Sequence, residues 1–224
     1  MFVAETFTSL QGEGMLAGTP SFFIRTSGCN LRCAWCDTPY TSWRPEGVRR
    51  SVGELLAAAT AAGMHHVVVT GGEPLLQREV GALTEGLVCA GHHVTVETAG
   101  TLAPEFTCHL LSVSPKTGNS DPAGHPAARH RALRENAGPL VGLLARFPEH
   151  QLKFVVRSES DLPEILAMVE RLGAVRERVL LMPEGRSAEE VAARAPEVAR
   201  LCLRHGFRYT PRLHLDLFGP GRGV

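Results

Sequence analysis

The sequence predicts an α/β fold built on a parallel sheet with helices packed over it. Short β-branched apolar runs alternate with longer amphipathic stretches, which is the rhythm of βα repetition. The runs are apolar nearly throughout, as expected of strands covered on both faces, in a sheet that is either open or rolled into a full or partial barrel. With 224 residues, 44% of them hydrophobic, the chain suits one large domain that buries a full core.

SFFIRTSG at 21–28 reads as a strand and leads into a cysteine-rich loop. SVGELLAAATAAG at 51–63 is an amphipathic helix in which Ser51 and Glu54 have capping-box spacing. HHVVVTGG at 65–72 is a β-branched strand, and LLQREVGALTEGLVCAG at 75–91 is a helix closed by Gly91. HHVTVETAG, HLLSVSPK, HQLKFVV and RVLLMPEG supply further strands, with helices at 161–173 and 187–206. Residues 117–150, rich in Pro, Gly, His and Arg, read as a variable insertion with one helix around 126–135. The alternating stretch around His214 reads as a terminal strand. Five strand ends, SGC, TGGEP, ETAG, SPK and MPEG, then converge on one face, the face where α/β sheets carry their chemistry.

Lys and Arg total 23 against 23 for Asp and Glu, so there is no global field to gather nucleic acid or anionic lipid. No run of 18 apolar residues occurs, and the opening MFVAETFTSLQGEG lacks the basic and apolar regions of a secretory signal. The expectation is a soluble cytoplasmic protein with no direct nucleic-acid or membrane partner. In a reducing compartment, six cysteines point to metal or catalytic roles before disulfides.

Three of those six form CNLRCAWC, with Cys29, Cys33 and Cys36 in one short loop. Three thiolates so spaced can hold three irons of a [4Fe–4S] cube and leave the fourth open. The alternative is zinc, which wants a fourth ligand that Cys89, Cys108 and Cys202 are poorly placed to give, although a His could complete the set. TGGEP, Thr70 to Pro74, has two glycines that let backbone approach a ligand, and Glu73 offers an acceptor for an ammonium group. The same residues also suit a plain strand-to-helix corner. The turn lacks the GK[ST] of a phosphate loop, and no GxGxxG opens a helix. The two lysines of the chain, Lys116 and Lys153, both lie near strand ends; Lys116 is the stronger ligand-binding candidate, while Lys153 fits a solvated rim equally well.

The cysteine spacing, with Trp35 before the third Cys, resembles the radical S-adenosylmethionine (SAM) superfamily. Together with SLQGEG, FIRTSGCNLRC, WCDT, TGGEPLLQ, SPK, PRLH and FGPGRGV, it resembles the 7-carboxy-7-deazaguanine synthase family more narrowly. That resemblance implies one domain over 1–224 with a partial parallel (βα)6-type barrel. It also implies a lyase of queuosine and deazapurine biosynthesis, which converts 6-carboxy-5,6,7,8-tetrahydropterin to 7-carboxy-7-deazaguanine with loss of ammonia. SAM on the vacant iron would be split to a 5′-deoxyadenosyl radical that takes hydrogen from C6 and later returns it. The alternatives are an activating enzyme for glycyl-radical enzymes, which needs a protein partner, and a metal-binding module with no SAM chemistry.

Residue roles follow from the same resemblance. Cys29, Cys33 and Cys36 would hold the cluster and Thr38 a Mg2+ ion. SAM would meet Trp35, Cys36 and Asp37; Gly72 and Glu73; Ser114, Pro115 and Lys116; and the turn of Met182, Pro183 and Glu184, where this chain departs from the usual Gln-Pro-Met-Asp-Gly. The pterin would meet Leu10, Gln11, Gly12 and Glu13, with Arg25, Thr70 and His214 and, at the chain end, Val224. Arg25 suits bidentate pairing with a carboxylate, and Gln11 and Glu13 suit the pyrimidine edge. A reducing donor such as flavodoxin or ferredoxin and a homodimeric assembly are the implied partners.

Overall fold

A computed structural model describes residues 1–223, and the position of Val224 lies outside the described residues. Strand β1 (Phe2–Leu10) leads through residues 11–19 into β2 (Pro20–Thr26), and the cysteine loop and single-turn helix α1 (Pro39–Ser42) carry the chain on to β3 (Val48–Arg49). Then come α2 (Val52–Ala62), β4 (His66–Gly71), α3 (Val80–Cys89), β5 (His93–Thr98) and β6 (Leu110–Val113). The second half runs α4 (Ala127–Glu135), α5 (Gly138–Arg146), β7 (His150–Val156), α6 (Leu162–Arg171), β8 (Val179–Pro183), α7 (Ala188–His205), β9 (Arg208–Tyr209) and α8 (Leu213–Phe218).

Among the described residues the nine strands form one sheet in the order β3-β1-β2-β4-β5-β6-β7-β8-β9. From β2 to β9 the pairs are parallel, and β1 and β3 extend the β2 edge antiparallel. The order is open, yet the sheet curls. Gly12 O, just after β1, accepts from Leu213 N at 2.9 Å, and Gly14 N donates to Thr210 Oγ1 at 2.6 Å, joining segments from opposite sides of the sheet. The result is the partial barrel, with six parallel strands of four or more residues plus the two-residue β9.

Period-2 alternation sorts each strand's side chains. Ile24, Val69, Val96, Leu111, Phe154 and Leu181 point into the core beneath the helices and are fully buried. Their neighbours Arg25, Thr70, Glu97, Ser112, Lys153 and Met182 point into the barrel and line a cavity. Each fully buried large apolar side chain contributes about 1.5–3 kcal/mol.

The capping box of α2 forms as read: Ser51 Oγ accepts from Glu54 N at 3.2 Å, and the Glu54 carboxylate accepts from Ser51 N at 2.7 Å. Several elements depart from the sequence prediction, which offers nothing for β1, the short β3 and β9 or the one-turn α1. The 75–91 helix starts only at Val80, because Glu73 caps a separate 3-10 turn at Pro74–Leu76 and Gln77 is extended. In that position Gln77 accepts from Phe2 N at 2.8 Å and donates to Ser27 O at 3.0 Å. Residues 117–150 hold α5 as well as the expected α4, with Pro139 in the first turn, where its missing N–H is harmless. His214 sits in α8, not in a strand. Leu213 N is taken by Gly12 O, and Leu215 N turns back to Arg212 O at 2.9 Å, so no ladder forms. Among the described residues no helix is long and apolar enough to cross a membrane.

Candidate active site

The C-terminal ends of the parallel strands open into a cavity of about 480 Å³. Cys29, Cys33 and Cys36 all lie on its wall, in a loop between β2 and α1 that has no regular hydrogen-bond ladder of its own. Burial, with Glu73 nearby, pushes the Cys29 thiol up to about 12. Burial also pushes Cys33 up to about 11, against the pull of Lys116. A bound metal must therefore displace their protons. Among the described residues no three His, Cys, Asp or Glu side chains converge tightly enough for a single ion. Three thiols on a shared wall, without a fourth ligand, fit a polynuclear cluster with an open corner better than structural zinc. Trp35, Asp37 and Thr38 complete this side of the wall.

An ionic network ties this loop to the rest of the wall, buried at Glu13, Lys153 and Arg212 and half-exposed at Asp37. Arg212 Nε donates to Glu13 Oε1 at 3.1 Å, and its terminal nitrogens reach Gly185 O and the Asp37 carboxylate. Lys153 donates to the other Glu13 oxygen. Burial alone raises the Glu13 pKa, but Lys153 and Arg212 outweigh it and hold the carboxyl well below the ordinary range. Asp37 is held down in the same way by Arg212, and burial, the largest influence, lowers the pKa of His214. Lys153 is thus a buried ion-pair member, and of the two readings its sequence left open the solvated rim is excluded.

A second polar set lies along β1, β2, β4 and β5. Glu97 accepts from Thr70 Oγ1 at 2.8 Å and from Gln11 Nε2 at 3.1 Å. Arg25 donates through Nε to Glu5 at 2.7 Å, which also accepts from the Tyr40 hydroxyl at 2.7 Å. The Arg25 guanidinium lies 5.4 Å from the Phe7 ring centroid, and its terminal nitrogens have no protein acceptor among the described residues. Leu10 and Gly12 also reach the cavity. A Cβ at Gly12 would meet His214 Nδ1 at 2.0 Å, so this glycine gives the imidazole its seat.

On the remaining wall, Lys116 donates to Ser114 Oγ at 2.7 Å and lies 5.4 Å from the Trp35 ring centroid. Met182 and Glu184 face the cavity, the latter tethered to Arg194 at 3.3 Å. Pro115, Pro183 and Glu73 do not line it. Glu73 is fully buried behind the wall, where its carboxylate accepts from Leu75 N at 3.1 Å, Thr98 Oγ1 at 2.8 Å and Ala99 N at 2.9 Å. It binds one strand-end turn to the next in place of a ligand ammonium. Gly72 does line the cavity, and the close approach it permits is to the chain itself: a Cβ there would meet Gly28 O at 2.3 Å.

Glu97, Arg212 and Glu5 escaped the sequence reading. Glu97 sat within the quoted ETAG strand end and Arg212 within PRLH, so the motif signal was present without a reason to prefer those side chains.

Residues 23–137 match the Radical SAM superfamily model. The chain is 45% identical over its whole length to the 7-carboxy-7-deazaguanine synthase of Rhodopirellula baltica, covering 89% of that protein. It is 46% identical to the enzyme of that name from Halobacterium salinarum, over 96% of this chain and 90% of the relative. The crystal structure of QueE from Escherichia coli superposes with a TM-score of 0.66 at 24% identity, covering 95% of this chain and 94% of that one. A cavity that joins three loop cysteines to a polar barrel wall, together with full-length identity of this order, makes the chain a member of the 7-carboxy-7-deazaguanine synthase family within the radical SAM superfamily.

Proposed function

We propose that the protein converts 6-carboxy-5,6,7,8-tetrahydropterin to 7-carboxy-7-deazaguanine with release of ammonia, as a cytoplasmic lyase of deazapurine biosynthesis acting as one domain. The observation that carries this reading is the shared cavity: the cysteine loop and a wall of paired carboxylates, amides and guanidinium groups face the same space. Cys29, Cys33 and Cys36 would hold the [4Fe–4S] cluster, and Trp35, Cys36, Asp37, Gly72, Ser114, Lys116, Met182 and Glu184 would hold SAM. When bound, the two groups supply the one-electron chemistry that removes a hydrogen from C6 and returns it.

The chain's own residues bind, orient and exclude water. The free end of Arg25 receives the pterin carboxylate while Glu5 fixes its other edge. Gln11 and Glu13 read the pyrimidine edge. Both Glu13 oxygens already accept from a cation, which keeps the carboxylate ionised as an acceptor for an amino group. Thr70 and His214 close the remaining sides. Thr38 offers Mg2+ a single hydroxyl, since Asp37 is committed to Arg212, so the substrate and water supply the other oxygens. A flavodoxin- or ferredoxin-type donor delivers the electron, and the working assembly is a homodimer.

The test is anaerobic reconstitution with iron and sulfide, followed by turnover with SAM and the carboxylated tetrahydropterin under a reductant. The expected result is the deazaguanine acid by mass, with SAM unconsumed. Protein that carries zinc, or a reduced cluster that gives no such product, overturns the assignment.

A further inference from the structure

The cysteine loop cannot satisfy its backbone from a ladder, so its N–H groups must find partners elsewhere. Leu31 N and Cys36 N bond within the loop, to Cys29 Sγ and Cys33 O, whereas Arg32 and Ala34 turn to the crossover between β6 and β7, the segment that reads in sequence as a variable insertion. Arg32 N donates to His130 Nδ1 at 3.0 Å, and Ala34 N donates to Ser120 O at 3.0 Å. These are the residues on either side of Cys33. His130 is 1% exposed and Ser120 is fully buried, so both acceptors are shielded from bulk water.

The polarity of the chain of bonds is determined throughout. Ser120 Oγ donates to Thr117 O at 2.7 Å, so at its 2.9 Å contact with His130 Nε2 it accepts. Nε2 therefore carries the imidazole proton, and Nδ1 is left as the acceptor that Arg32 requires. The support is itself anchored. Asp121 lies 3.7 Å from His130 Nε2 and is held by Arg134, which also binds Glu164 of α6 at 2.9 Å. Asn119, one residue before Ser120, accepts from the Trp35 indole through its backbone O at 3.0 Å and donates to Val155 O at 3.0 Å.

We propose that His130 is a positioning residue for the cluster: through the Arg32 amide it holds Cys33 in register between Cys29 and Cys36, and the 117–135 segment is the fixed bed of the cluster loop. This rests on the reading that the three cysteines hold a [4Fe–4S] cluster. Hydrogen-bond partners that orient metal ligands typically change metal affinity by about 10- to 100-fold when removed.

The experiment uses the reconstituted full chain. His130→Leu removes the acceptor while keeping apolar bulk, and His130→Asn places an oxygen close to the position of Nδ1. Three quantities are read: the rate of iron loss to a chelator, the electron paramagnetic resonance spectrum of the reduced cluster, and amide exchange of the 29–36 peptide in metal-free protein. His130→Leu is expected to lose iron at least about tenfold faster, to alter the spectrum and to lose protection at Arg32, while His130→Asn stays near wild type. If His130→Leu fails to fold by circular dichroism, Ser120→Ala, which takes away the Nε2–H acceptor, is read in its place with the same expectation. Wild-type iron retention and spectrum in the folded variant overturn the proposal, as does His130→Asn behaving like His130→Leu. Cys33→Ala separates the two readings: if it keeps a full cluster, the ligand assignment fails whatever His130 does.

Discussion

Arg212 is the residue on which the site's geometry converges, since one guanidinium ties the segment after β1, the cysteine loop and the turn after β8 through Glu13, Asp37 and Gly185. Burial opposes its charge, yet Asp37 and Glu13 raise its pKa further, so it is cationic at every working pH. Arg212→Met leaves Glu13 with one cation and the half-exposed Asp37 with none, so solvent screening holds the cost to about 2–3 kcal/mol, below that of breaking a fully buried pair. The expected fall in Tm is about 5–10 °C, with SAM and pterin affinity weakened together; thermal melts and binding titrations of the variant check both. Arg25 differs because its bond to Glu5 uses only Nε. Arg25→Ala forfeits a charge-assisted contact of about 1.5–3 kcal/mol, roughly 10- to 100-fold in pterin affinity, and leaves SAM binding unchanged. Equal losses for both ligands would show that Arg25 shapes the barrel and does not read the carboxylate.

Elements with a strong local signal were legible, and those defined by tertiary contact were not. The helix at 51–63 announced itself through Ser51 and Glu54, which make their bonds within one turn. β1 carries adjacent polar pairs, Glu5–Thr6 and Thr8–Ser9, in place of a clean alternation, and its pairing to β2 across Glu5 and Arg25 is invisible without the partner strand. α8 shows the reverse failure, since Leu213, His214 and Leu215 alternate like a strand while their backbone is claimed by Gly12 and Arg212. The opposite ends of the strands carry a feature with a pH consequence. His66 and His93 are paired in register between β4 and β5 with rings 4.6 Å apart, and His93 stacks on His109 at 4.9 Å. Burial first, then the neighbouring imidazoles, lowers the pKa of both His66 and His93. A depressed folded pKa means that the unfolded chain takes up protons first, so stability is full above the ordinary imidazole value of about 6.5 and falls as pH drops through the folded values. His130 and His214 are depressed by burial too and add to the same slope. Urea midpoints measured between about pH 7.5 and 5.5 should decline, and His66→Asn with His93→Asn should flatten the decline. An unchanged slope in the double variant would place the effect elsewhere.

Across the whole molecule, the sheet does two jobs with one alternation, apolar toward the helices and polar toward the cavity. Sequence shows the first, because Val69, Val96 and Phe154 belong to evident apolar runs. The second is hidden: Thr70, Glu97 and Lys153 each look like a lone interruption, and only the register of separate strands and the curl of the sheet gather them into one wall. Such a wall is costly for stability, since ions withdrawn from water regain their solvation only through good pairing. Glu13 and Lys153 make that explicit: each has a side chain less than one-fifth exposed, and they are bonded to each other across 140 positions of chain. If the pair is kept for ligand binding, the two requirements can be separated. Lys153→Met alone removes one of the two cations at Glu13 and should destabilise by about 3–5 kcal/mol. Adding Glu13→Gln should restore much of that loss, because the uncompensated charge is gone and Arg212 still has Asp37 to hold, yet the double variant should remain without turnover. Denaturant midpoints and product formation on the wild type, both single variants and the double variant close the cycle. Additive destabilisation would mean that Glu13 and Lys153 act independently; recovery of activity alongside stability would mean that neither reads the substrate.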